Sequence, residues 1–246
     1  PISHPGGFAQ DLAHDWGRFY TQGLPEETDA LLDGLFSDDD FLSQNSLVVQ
    51  EREALLRREL QQFDQGLLFF YLSSTDILSH LYWNTIDPKH PGYTKQRADK
   101  YRDIIKSSYQ LADRLLGEAV GASGPGTTVI ALSDHGFAPF RQSVHLNLWL
   151  RQEGYQKGEG EGLAGIDWEH TKAYAVGFNS LYLNLKDREA QGVVLSSERA
   201  DLLRRLAEEL QQFRDPESGE KVVEKTEILP LPEQEQLRFR SPDLLV

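Results

Sequence analysis

The chain has 246 residues, 39 acidic against 25 Lys and Arg, and a formal charge of −14. That balance repels phosphate backbones, so binding to a nucleic-acid duplex is not expected. Cysteine is absent, which excludes disulfides and thiolate ligands, and no apolar run approaches the roughly 20 residues that span a bilayer. Methionine is absent as well, and nothing physical in the sequence accounts for it.

Taken in order, PISHPGGF reads as an entry loop, with His4 and, further on, His14 as structural residues. The stretch 25–36 suits a short helix with Pro and acids in its first turn. Ser37 and three aspartates open a longer helix, on which Val48, Leu55, Leu56, Leu60 and Phe63 share one face. Gln65 and Gly66 end it. The run GLLFFYL at 66–72 then has strand character and stops at Asp76 and His80. A Pro- and Gly-rich surface loop carrying His90 follows, then a crossover helix over 97–120 with Ile105, Ala112, Leu115, Leu116 and Ala119 inward. A second strand-like run, TTVIALS at 127–133, stops at Asp134 and His135.

Past Phe137 the pattern changes. A short helix is expected at 147–151, then a Gly- and acid-rich loop without a core over 154–167. Short strands near 172–176 and 180–185 are joined through Gly177, Phe178 and Asn179, and a helix over 197–213 buries Leu202, Leu206, Leu210 and Phe213. A turn and a further strand close the pattern.

The two Asp and His pairs carry the chemistry. Asp76 and His80, four apart, share a helix face and suit one cation, although the same spacing also describes an ordinary surface pair. Asp134 and His135 are adjacent, so both reach one metal only if the chain turns there, which Gly136 permits. Carboxylate with imidazole suits zinc better than magnesium or calcium. Each pair follows an apolar run, where an open α/β sheet gathers its ligands.

With GLLFFYLSSTDILSHLYW and SDHGF in this order, the sequence resembles the alkaline phosphatase superfamily, most closely its type I phosphodiesterase and nucleotide pyrophosphatase branch. The segments FYTQGLPEETDALLDGLFS, LNLWLRQEGY and SPDLLV extend the likeness over nearly the whole chain. The resemblance implies an incomplete α/β domain with a mainly parallel sheet and helices on both faces, spanning 1–246, with an insertion or subdomain at about 140–240. It implies two divalent metal ions, zinc with manganese as the alternative, one on Asp76 and His80 and the other on Asp134 and His135. The implied activity is phosphodiester hydrolysis of a small-molecule substrate. Phosphomonoesterase, sulfatase or phosphotransferase chemistry, or a binding module on the same scaffold, are the alternatives. Asn179 falls where the family places an insertion near its active site, so it is a candidate substrate contact. The family's nucleophile has no recognisable counterpart here, Thr75 and Ser79 not matching its pattern. The chain therefore reads as an internal fragment, and its sequence leaves localisation open.

Overall fold

The computed structural model describes residues 3–21, 24–160 and 162–246, without the side chains of Glu235 and Gln236. The first two residues of the entry loop and position 161 of the Gly-rich loop lie outside them. The chain divides into two compact units, Pro1–Arg141 and Gln142–Val246.

The first unit is helical. Helix α1 (Phe8–Trp16) has no counterpart among the expected elements; it buries Ala9 and Leu12 and ends at Gly17, whose φ of 83° a Cβ would disfavour. The short α2 (Thr28–Leu32) precedes α3 (Asp38–Gln62). Ser37 caps α3 because its hydroxyl accepts from the Asp40 N–H while Asp40 returns a carboxylate to the Ser37 N–H, satisfying two end donors reciprocally. Phe41, Val48 and Leu56 form its buried stripe.

Helix α4 (Ser74–Tyr82) lays Ile77, Leu78 and Tyr82 against Phe41 and Ile105. The expected crossover helix is two helices, α5 (Lys95–Tyr101) and α6 (Ile104–Ala122), although no Gly or Pro breaks the sequence between them. Arg97 of α5 forks onto Asp38 at 2.7 and 3.0 Å and so ties α5 to the start of α3.

The mainly parallel sheet is not formed. Segments 66–72 and 127–133 form no regular element, and among the described residues neither pairs with the other or with any strand. A parallel ladder needs a neighbour to receive its slanted bonds, and local strand character cannot supply one. In segment 66–72 exposure alternates, Leu67, Phe69 and Tyr71 being exposed while Leu68, Phe70 and Leu72 are half-buried, whereas 127–133 is exposed throughout.

The second unit holds the sheet, which is antiparallel. Strands β1 (Ala173–Val176) and β2 (Ser180–Leu183) form the hairpin, and after them come α8 (Arg199–Gln212), β3 (Glu227–Ile228), α9 (Glu235–Arg238) and β4 (Leu244–Leu245). Helix α7 (Leu146–Gln152) opens the unit. The strand order is β1-β2-β4-β3. Leu202, Leu203, Leu206 and Leu210 of α8 are buried with Leu181, Leu183 and Leu244 of the sheet and Trp149 and Leu150 of α7. Each such Leu contributes about 1.5 to 3 kcal/mol by leaving water.

The loop over 154–167 is not the coreless linker expected. Tyr155, Gln156 and Ile166 are buried, and the Asp167 N–H donates to the Lys157 carbonyl at 2.9 Å. Its composition is explained by close approach: a Cβ on Gly158 would sit 2.1 Å from the Gly165 carbonyl oxygen. No described helix is long and apolar enough to cross a membrane.

Candidate metal centre

Helix α4 presents the first pair. With Ile77, Leu78 and Tyr82 turned into the core, the opposite stripe carries Asp76 and His80 one turn apart, and Nε2 of His80 lies 3.4 Å from Oδ1 of Asp76. The second pair lies on the chain after segment 127–133. The bend falls at Asp134, and Gly136 does not adopt the left-handed conformation that a demanding turn would require. His135 reaches across to α4, its Nε2 standing 3.5 Å from the same Asp76 Oδ1.

The grouping therefore differs from the sequence pairs. One ligand atom each from Asp76, His80 and His135 lies within 4.8 Å of the others. Asp134 stands apart, its side chain 87% exposed and its Oδ2 3.8 Å from Nε2 of His135. Asn179 is in the second unit, exposed in the β1–β2 turn, where its carbonyl accepts from the Val246 N–H at 3.0 Å.

Three observations fit a cation to the trio. Oδ1 of Asp76 is buried and accepts no hydrogen bond among the described residues, although two ring nitrogens face it. An oxygen in that state has lost water and gained no donor, which is costly unless something positive completes it. Two donors about 2.0 to 2.1 Å from a tetrahedral zinc ion stand roughly 3.3 to 3.4 Å apart, close to the two separations seen. Finally, Nδ1 of His135 lies 3.0 Å from the Gly136 carbonyl, which can only accept. In the neutral ring this contact favours the proton on Nδ1, which leaves the Nε2 lone pair free for a metal.

Hydrogen bonding to Gly136 is also the main reason the His135 pKa is raised, with the Asp134 and Asp76 carboxylates adding to it against partial desolvation. Tyr71, just before α4, has a phenol raised by burial first and then by Asp76, Asp134 and Glu26. Anionic charge is concentrated here.

Phe137 completes the surroundings. Its ring meets those of His80 and His135 edge-on at 4.9 and 5.4 Å and stacks on Trp83 at 5.8 Å. Sequence reasoning reached Phe137 only as the end of a motif, since nothing in its spacing links it to two imidazoles. Ser79 is fully buried and donates to the Thr75 carbonyl at 2.6 Å, so its hydroxyl is committed to the helix and unsuited to attack. His90 stabilises its own loop, Nδ1 accepting from the Gly92 N–H at 2.9 Å.

Neither a curated protein nor a solved structure matches the chain significantly. The family model for type I phosphodiesterase / nucleotide pyrophosphatase matches residues 17–246, a span that includes every residue of the trio. The chain accordingly belongs to the type I phosphodiesterase / nucleotide pyrophosphatase family of the alkaline phosphatase superfamily.

Proposed function

We propose that the protein is a metal-dependent phosphodiesterase whose cation is held by Asp76, His80 and His135. Family membership supports phosphoester hydrolysis in general. The observation that carries the metal dependence is the buried, hydrogen-bond-free Oδ1 of Asp76 facing two imidazole Nε2 atoms. One carboxylate and two imidazoles are a zinc donor set, with a position left for substrate or water. A bound divalent ion would supply the positive charge that draws phosphoryl oxygens and stabilises charge in the transition state.

The chain's own residues do the rest. Helix α4 fixes Asp76 and His80 on one face, and the Gly136 carbonyl orients His135 by holding its Nδ1 proton. Phe137 and Trp83 wall one side with aromatic surface, and the Phe137 ring packs edge-on against both imidazoles and so restricts their orientation. A second ion on Asp134 and His135, which the family resemblance implies, is a competing arrangement. Nε2 of His135 cannot ligate both ions at once, so that second site would take His135 out of the trio.

Hydrolysis of an aryl phosphodiester by the intact protein, compared with a monoester and a sulfate ester, with zinc or manganese present or chelated, tests the proposal. Diesterase turnover that requires the ion and is lost in Asp76→Ala is expected. Turnover unaffected by chelation, or by Asp76→Ala, would overturn it.

A further inference from the structure

We infer that Glu26 is a positioning residue for the metal-bearing helix, acting through Ser73; the inference rests on the reading of Asp76 and His80 as ligands. Glu26 is 4% exposed, and its Oε1 accepts a hydrogen bond from the Ser73 hydroxyl at 2.5 Å. Its Oε2 is buried and accepts none among the described residues, and no described Lys, Arg or His forms an ion pair with it. Burying a carboxylate without a countercharge costs several kcal/mol, so a fold that keeps one uses it for something other than its own burial energy.

Its place indicates the use. Ser73 immediately precedes α4, and its carbonyl accepts the Ile77 N–H at 3.0 Å, so the helix begins there. An anion beside that end meets the partial positive charge of the helix terminus, which makes its burial tolerable. Asp76 and His80 follow on the next two turns, so a slide or rotation of α4 at Ser73 would carry both ligand atoms away from Nε2 of His135.

The other side of the link is anchored. Gln44 of α3 donates from Nε2 to the Pro25 carbonyl at 2.8 Å and accepts from the Glu27 N–H at 3.3 Å, which clamps both neighbours of Glu26. The hydrogen-bonded path therefore runs from α3 through Gln44, the 25–27 backbone, Glu26 and Ser73 to the start of α4.

The test is zinc affinity of the 246-residue chain, measured by competition with a chelating dye, together with thermal melting. Loss of a group that orients metal ligands typically weakens affinity about 10- to 100-fold. Glu26→Ala and Ser73→Ala are expected to fall in that range, while Glu26→Gln, which keeps the oxygen that Ser73 needs, retains most of the parent affinity. Ser37→Ala, which removes the cap of α3 without touching Gln44, Glu26 or Ser73, should lower the melting temperature and leave zinc binding intact.

A folded Glu26→Ala chain with parent affinity would overturn the inference. If that variant does not fold, a Ser73→Ala chain with parent affinity overturns it instead. Equal zinc loss in Ser37→Ala would show that affinity only tracks stability, and would overturn it too. His80→Ala separates the two readings: if it binds zinc as tightly as the parent, the ligand assignment itself fails. If only His80→Ala loses zinc, the ligands stand and Glu26 is structural.

Discussion

Nε2 of His135 stands 3.5 Å from Oδ1 of Asp76, closer than the 3.8 Å that separates it from the Oδ2 of its own neighbour Asp134. The side chain of Asp76 is one-third exposed, whereas that of Asp134 is almost fully solvated. Since a charge pair in water is worth little, the proposed trio makes the less exposed Asp76, whose Oδ1 faces both imidazoles, the stronger ligand of the two.

Asp76→Ala should therefore weaken zinc binding more than Asp134→Ala does. Removing Asp76 takes away the oxygen that both imidazoles face, and a loss of at least about tenfold is expected. Titration calorimetry on both variants checks this. Equal losses, or a larger one for Asp134→Ala, would restore two separate sites built on the sequence pairs.

What the sequence made legible was local. The Ser37 cap, the inward leucines of α8 and the β1–β2 hairpin each follow from a pattern that local geometry enforces. The runs at 66–72 and 127–133 were legible as apolar stretches with strand character but not as ladders, because pairing is a relation between distant segments. Adjacency likewise assigned His135 to Asp134, whereas the fold brings it to Asp76. Glu26 could be read only as a first-turn acid, because no periodicity marks which acid of PEETD turns inward to meet Ser73.

The capping box of α3 gives a simpler expectation. Ser37→Ala leaves the Asp40 N–H without its side-chain acceptor and should cost about 1 kcal/mol of stability. Urea denaturation at neutral pH measures it. A change indistinguishable from zero would mean that water replaces the hydroxyl without loss.

In the second unit the informative group is Asp243, which is fully buried. It accepts from Arg188 at 2.7 Å, Arg199 at 2.9 Å and the Leu183 N–H at 2.8 Å. Asp243→Ala would leave two largely buried guanidinium groups without their shared anion, and breaking such a set costs about 3 to 5 kcal/mol. Denaturation followed through Trp149 fluorescence tests it, since Trp149 lies in the same core. A cost below about 1 kcal/mol, the range of an exposed pair, would show that the cluster is solvated.

The first unit should carry an acid-sensitive tie at Asp38. Its hydrogen bonds from Arg97 hold the carboxyl below its ordinary value of 3.8, outweighing partial desolvation and the neighbouring Asp39 charge. Arg97 stays protonated throughout, so only the carboxylate titrates. A group whose folded pKa is depressed contributes stability that is fully present above its unfolded pKa, and loses it as pH falls through the folded value. Asp38→Asn should therefore destabilise the protein at pH 7, by about 1.5 kcal/mol for a charge-assisted, partly exposed pair. The gap between variant and parent should narrow as pH drops below 3.8. Urea midpoints for both proteins at neutral and acid pH decide the matter. A gap that stays constant across that range would mean that Asp38 acts through packing and not through its charge on Arg97.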